Sequence, residues 1–347
     1  MPSVSFSDVP ATKLGPEPDR SRIISGFWRR LFAFLIDCLI LAIIGWLSGF
    51  FLFDFYVHLG GWGRLLGFSI ALLYFGLLNS SMGKGQTLGK RTMQIEVVNR
   101  WGDHISLGRS LLRFAILGIP WFFTFPLVYY SNLTMKLIGF LTTGLGVAII
   151  YLFLFNRRTR QSVHDLATDT LVVRTLPKGS PSAVYLWKPH LVIAGTLYLG
   201  LVVLFISLIQ FLQPELAPLQ EVAKQIEASG KYRVAAYNIQ TYWVKKEGKR
   251  YTSRGLKLII MNDSRFPGFE FAATPAREIA ALVLKKYPDV MKKDRLIISF
   301  CQGYDIGIAS YWRHQYVSYS PRQWQKFVNH PEQMIKEIRH QRQPKGT

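Results

Sequence analysis

RRLFAFLIDCLILAIIGWLSGFFLF, residues 29–53, decides the fold. From Leu31 to Phe53 it is apolar except at Asp37, and it is long enough to cross a bilayer, which takes about 20 helical residues. Arg29 and Arg30 stand just before it, where the membrane surface would lie. A carboxylate at membrane depth costs about 2.5–3.5 kcal/mol even on the mildest insertion scale. Asp37, about one-third of the way in, therefore has to be paired, face a wet cavity, or do a job. The stretch predicts a membrane helix and supplies the first candidate site. It is not read as a cleaved signal peptide, being too long, starting too late and lacking a small-residue cleavage site.

Composition points the same way. The 347 residues are 49% hydrophobic and 14% aromatic, yet Lys+Arg outnumber Asp+Glu 42 to 21, a formal charge of +21. Mean hydropathy is +0.16. A nucleic-acid binder can be as basic but does not carry long uncharged apolar runs, so no nucleic-acid partner is expected. Basic membrane proteins collect Lys and Arg on the cytoplasmic side and against anionic lipid. Cys38 lies in the first apolar run and Cys301 far away in a polar region, which predicts no intrachain disulfide and no metal cluster.

Five segments read as spans: Leu31–Phe53, Leu65–Asn79, Phe114–Tyr130, Leu137–Phe155 and Leu191–Leu212. The second is short, and the third holds Pro120 and Pro126, which a span tolerates when neighbours satisfy the freed carbonyls. The segment before the first span carries Lys13, Arg20, Arg22, Arg29 and Arg30. The second-to-third loop carries Lys84, Lys90, Arg91, Arg100, Arg109 and Arg113, and the fourth-to-fifth loop Arg157, Arg158, Arg160, Arg174, Lys178 and Lys188. The alternate loops offer little beyond Arg64 and Lys136. This bias predicts a cytoplasmic N-terminus and, with five spans, an outer C-terminal region.

The expected division is a disordered, proline-bearing N-terminus (1–20), a four-span membrane domain (21–180), a fifth span (181–213) and an extracytoplasmic domain (214–347). In the last, Leu219, Val222 and Ile226 have helical spacing, and Gly230 follows as a C-terminal cap. Tyr232–Val244 and Arg250–Met261 read as strands. Thr274-Pro275 reads as an N-cap with a first-turn proline opening a helix that ends at Pro288. Leu296–Cys301 reads as a buried strand, Gln302–Gly307 as a turn into an aromatic strand ending at Tyr319, and Ser320-Pro321 as another helix start. The fold class is thus an α-helical polytopic membrane protein, with about five transmembrane helices and a C-terminal extramembrane α+β domain.

Three short motifs remain. Gly26-Phe27-Trp28-Arg29-Arg30-Leu31 precedes Asp37; Gly85-Gln86-Thr87-Leu88-Gly89-Lys90-Arg91 runs into Ile95, Val97 and Val98; Arg160-Gln161-Ser162-Val163-His164-Asp165-Leu166-Ala167 runs into Thr170, Val172 and Val173. Together, in this order and with spans between them, they resemble the RDD family of bacterial membrane proteins, from about Ser25 to Arg174. The arginine and two aspartates of the family's name fall on Arg30, Asp37 and Asp165. The resemblance implies a bacterial inner-membrane location and a transport-related role, with cation–proton exchange reported for some members. No family is recognised in the C-terminal domain.

Each motif also has a plainer reading. Arg30 and Asp37 share a helix face but lie about 10.5 Å apart along the axis, so the plainer reading pairs Asp37 with an arginine of another segment, such as Arg91 or Arg113. The glycine motif at 85–91 is one residue short of a phosphate-binding loop and has Arg91 where Ser or Thr would hold magnesium. It reads better as a tight turn into a strand, Met93–Asn99, able to pair with Thr170–Arg174. His164-Asp165 lacks a nearby nucleophile and oxyanion donor, and reads as a charged turn held against Arg157, Arg158 or Arg30. No catalytic constellation and no cofactor site can be assembled, so an enzyme is not expected. Two functions stay open: the expected one is a transporter or transport accessory that moves a monovalent cation or proton past Asp37, and the alternative is a non-transporting membrane scaffold or sensor whose outer domain binds a protein partner or a second copy.

Overall fold

The stretch at 31–53 is a helix, α1 (Phe27–Phe51), in the computed structural model, which describes residues 24–123, 133–175, 187, 189–246, 249–261, 268–334 and 337. In chain order there follow α2 (Phe53–Leu59), α3 (Gly63–Asn79), α4 (Leu88–Thr92), β1 (Ile95–Asn99), α5 (Leu107–Phe123), α6 (Leu133–Phe155), α7 (Val163–Ala167), β2 (Thr170–Arg174) and α8 (Pro189–Ala228). Then come β3 (Arg233–Lys246), β4 (Lys249–Met261), α9 (Gly268–Lys286), β5 (Arg295–Asp305), β6 (Ser310–Tyr319) and α10 (Pro321–Asn329). The N-terminal segment expected to be disordered lies outside the described residues.

α1 is built the opposite way from a helix of a soluble protein. Arg30, Ala33, Asp37, Leu41, Gly45 and Gly49, spaced three and four apart, form its buried stripe. Leu35, Leu39, Ile43, Trp46 and Phe50 face outward, with Leu39 61% exposed while Asp37 is 0%. Charge inside and hydrocarbon outside is stable when lipid, not water, surrounds the helix. Among the described residues, four helical stretches are long and apolar enough to cross a membrane: Phe27–Phe51, Phe53–Asn79, Ile138–Phe155 and Pro189–Leu208. The expected third span is not among them. Its described part is the C-terminal half of α5, a 17-residue helix that carries Arg109 and Arg113, and residues 124–130 lie outside the described residues. α5 nonetheless packs antiparallel to α3, with Phe114 stacked on Phe75 at 4.6 Å and Phe122 edge-on to Phe68 at 5.5 Å.

The chain divides into two compact units. The first comprises 1–40, 70–118 and 145–195. In it β1 and β2 form the expected antiparallel ribbon, Ile95 opposite Arg174 and Asn99 opposite Thr170, and Ile24 bridges to Val173 beside them. Ile95, Val97, Ile105 and Val172 pack with Ala33 of α1, so the ribbon is fastened to the helix that carries Arg30 and Asp37.

The second unit comprises 41–69, 119–144 and 196–347. Its four-stranded sheet has the order β3-β4-β5-β6, antiparallel except for the β4–β5 pair. The parallel pair needs a crossover, and α9 supplies it. Leu219, Val222 and Ile226 of α8 join Leu256, Leu258, Ile260, Leu296, Ile298, Trp324 and Phe327 in one core. Ser320 caps α10 in a capping box with Gln323, Pro321 takes the first turn, and the Trp324 indole donates to the Leu296 carbonyl at 2.9 Å.

Three local expectations change. α8 is one 40-residue helix, so the segment read as a span and the separate helix at 219–226 are continuous through Pro214 and Pro218. α9 starts at Gly268, which puts Pro275 inside the helix and not in its first turn. β5 extends to Asp305, because the turn falls at Ile306–Ala309, where Gly307 takes φ +77°.

The tip of the β5–β6 hairpin is seated among helices of its own unit. Tyr304 and Ile306 are buried with Tyr56, beside Phe53, Leu59 and Leu66. Arg64 pairs with Asp305 at 2.6 Å, and the Trp121 indole donates to the Gly307 carbonyl at 3.0 Å. A β-carbon at Gly67 would fall on the Ile306 carbonyl oxygen, so this approach requires glycine there.

Residues 218–347 expressed alone are expected to melt cooperatively in urea. Trp324→Ala, which empties a fully buried site and strands the Leu296 carbonyl, should lower that stability by about 3–5 kcal/mol.

Candidate functional site

Among the described residues the first unit buries two carboxylates, Asp37 and Asp165, and the sequence supplies each with a different kind of partner. Asp165 lies on α7, where Ser162 and Asp165 form a capping box and the Ser162 amide donates to Oδ2 at 3.2 Å. Arg30 of α1 reaches the same oxygen through Nη2 at 2.6 Å and donates through Nη1 to the Arg160 carbonyl. Arg113 of α5 donates to Oδ1 through Nε at 3.0 Å and through Nη2. Thr170 of β2 adds a longer contact at 3.4 Å. Arg30, Arg113 and Asp165 are all buried, so the carboxylate clamps α1, α5 and α7 together. Burial by itself would raise the Asp165 pKa; Arg113, His164 and Arg30 outweigh it and hold the carboxyl well below the usual range.

Asp37 is held without a cation. Its Oδ1 accepts from the Tyr74 hydroxyl at 2.7 Å and from the Gly89 amide at 2.8 Å, and its Oδ2 from the Thr87 hydroxyl at 2.5 Å. Thr87 also caps α4 by accepting from the Lys90 amide. The glycine motif thus wraps the carboxylate with one hydroxyl and one amide. Gly89 is required: a β-carbon there would meet the Ala33 carbonyl oxygen and approach the Asp37 carboxyl carbon to 3.0 Å.

Neither arginine proposed as the partner of Asp37 reaches it. Arg113 is committed to Asp165, and Arg91 is exposed on α4 with no ion pair to Asp37. Arg30 and Asp165 meet as a pair, whereas Asp37, seven residues on, keeps its own set of donors. Of the arginines suggested for the His164-Asp165 turn, Arg30 is used, and Arg157 and Arg158 are exposed.

Tyr74 and Asn79 belong to no sequence motif, and Lys90 enters the sequence reading only within the glycine motif and the loop charge. Lys90 donates to the Asn79 side chain at 2.8 Å and lies 5.9 Å from the Phe75 ring centroid. Burial lowers its pKa to about 7, with Arg113 adding to the effect and Asp37 opposing it. A lysine following the glycine motif was the available signal. His164 is buried beside Asp165, with Nε2 at 3.5 Å from Oδ2. Burial lowers its pKa to about 3 against the pull of Asp165, so the imidazole stays neutral.

The RDD family model matches residues 24–169, which take in both carboxylates and all their partners but the last contact, Thr170. Similar proteins include two from Bacillus subtilis (strain 168), both named only as uncharacterized. YckC is 25% identical over 157 residues, covering 44% of this chain and 86% of YckC. YxaI is 26% identical over 132 residues, covering 31% of this chain and 87% of YxaI. No solved structure matches the chain.

Removing one member of a buried ion pair leaves the other uncompensated, a loss of about 3–5 kcal/mol. Asp165→Asn should therefore sharply reduce the folded fraction recovered in detergent. Asp37→Asn, whose amide can still accept from Gly89 while the hydroxyls turn, should cost about 1–2 kcal/mol. Equal losses for the two variants in a thermal melt would mean that the carboxylates are not held in these different ways.

His164 sets a pH dependence. Its folded pKa lies below the usual 6.5, so below that pH the unfolded chain takes up a proton that the folded chain refuses. The His164 contribution is complete above 6.5, and stability should fall by about 1 kcal/mol per pH unit from there towards pH 4. Asp165 contributes no slope until the acid end, since its loss begins only near the ordinary carboxylate pKa. Melting temperatures at pH 6.5, 5.5 and 4.5 should decline for the wild type and flatten for His164→Gln.

Proposed function

We propose, on the premise that residues 24–169 belong to the RDD family, that this chain is a multi-pass inner-membrane platform for its C-terminal α+β domain, a scaffold or sensor. The single observation carrying this reading is that Asp37 and Asp165 are each closed by donors of the protein itself, three on Asp37 and two guanidiniums on Asp165. A carboxylate that binds and releases an ion needs a free coordination site and a path, whereas a brace needs all its acceptors filled. The seat of the hairpin tip, with Tyr304 and Ile306 among helix side chains, supports the sensor form, because a partner bound to the sheet could act on those helices.

The topology belongs to the same proposal. α5 packs on α3 at its middle, through Phe114, and near its C-terminal end, through Phe122, which supports counting it as the fifth span. With the loop-charge bias, five spans put the N-terminus and the arginine-rich loops in the cytoplasm and residues 214–347 outside.

Cation–proton exchange through Asp37 is the second reading, and one observation favours it. All three donors to Asp37 are neutral, so its charge is not cancelled by a direct ion pair. A cation or proton that displaced the Thr87 hydroxyl would find an intact carboxylate.

Reconstitution in vesicles with an internal pH-sensitive dye separates the two. Addition of sodium, potassium or lithium should produce no proton movement with wild-type protein. Flux that Asp37→Asn abolishes, with folding retained, would replace the platform reading with the exchanger.

A further inference from the structure

Arg29, Arg157, Arg160 and Arg174 line one cleft of about 560 Å³ in the first unit, together with Phe27 and Trp28. The arginines come from the start of α1, the loop after α6 and the end of β2. No carboxylate is in the lining. Arg157, Arg160 and Arg174 form no ion pair among the described residues, and Arg29 donates to the Met93 carbonyl at 3.0 Å. Asp165, five residues after Arg160, is already committed to Arg30 and Arg113.

Two further features suit the cleft to an anion. Gly26 and the first turn of α1, with Phe27 and Trp28, contribute to the wall, and that turn holds no acidic residue, so the positive end of a 25-residue helix dipole adds to the four guanidiniums. Arg160 sits at φ +56°, a left-handed conformation uncommon for a residue with a side chain. Its carbonyl there accepts from Arg30, while its side chain lines the cleft. Strain of this kind clusters at binding sites.

The rim is apolar. Trp28 is 65% exposed, and Leu154 lies at the last turn of α6. α1 begins and α6 ends here, at helix ends, where tryptophan marks the membrane–water interface. We infer that this cleft binds a phosphate-bearing anion, with the guanidinium forks on the phosphate oxygens and the aromatic rim against acyl chains. The headgroup of an anionic phospholipid has both parts; free phosphate has only the first.

The test uses the full chain in a neutral detergent, with binding read by native mass spectrometry and by the rise in melting temperature. The probes are phosphatidylglycerol, phosphatidylcholine and inorganic phosphate. Phosphatidylglycerol should bind wild-type protein about tenfold or more tighter than phosphatidylcholine, and Arg157→Ala/Arg174→Ala should remove that preference. Both arginines are exposed, so this variant should melt near the wild type without lipid. Inorganic phosphate that binds as well as the lipid, and is lost in the same variant, would assign the site to a soluble phosphate. A preference that survives in the variant, or that falls equally in the exposed control Arg158→Ala/Lys84→Ala outside the cleft, would overturn the inference.

Discussion

Asp165 is the interaction on which the first unit depends. A single carboxylate holds Arg30 of the first helix and Arg113 of the fifth, and it closes its own capping box with Ser162. Unpaired, any of the three charges would be far too costly to bury, so they are buried together or not at all. The clamp fixes which helix faces meet, and the two-stranded ribbon then has a defined place against Ala33. Polar residues that a soluble protein would put on its surface have become the interior, and leucine and phenylalanine have become the exterior.

Asp37 solves the same problem by other means. Three neutral donors cannot cancel its charge, but they replace the water it has lost. Two come from one turn of the glycine motif, where Thr87 both caps α4 and donates to Oδ2. That arrangement explains the motif without nucleotide chemistry: the glycine gives room for an amide to reach the carboxylate, and the threonine begins the short helix. The lysine that follows is left near Asn79 with its pKa lowered to about 7. Half-compensated groups of this kind are where a proton or cation would act, and they keep the exchanger reading alive beside the platform.

The second unit contributes a different constraint. Its sheet carries a conventional core, yet the tip of one hairpin leaves that core and packs Tyr304 and Ile306 among side chains of α2 and α3. The Arg64–Asp305 pair is only partly shielded, with the two side chains 24% and 28% exposed, so it contributes orientation more than stability. The approach of Ile306 to Gly67 is the tighter restraint, since a larger side chain there would unseat the tip.

The helices and strands were largely legible in the chain alone. Apolar length predicted the helices at 27–51, 63–79, 133–155 and from 189, because the bilayer imposes a minimum length on each. Period-two alternation found the pairing of 95–99 with 170–174, and the capping residues found α10, because both signals are local. The order of helices and strands after residue 218 was legible for the same reason. The three motifs named Arg30, Asp37 and Asp165, and the resemblance to the RDD family, matched over residues 24–169, rests on them. What the sequence could not supply was who touches whom. Arg91 and Arg113 were equally good partners for Asp37 on paper, and neither is used. Tyr74, an ordinary span residue by its surroundings, turned out to be a donor to the carboxylate. Asp37 is 37 residues from Tyr74 and 50 from Thr87, and Asp165 is 135 from Arg30. No local periodicity spans such separations, so only the packing of the helices could decide which donors each carboxylate would meet.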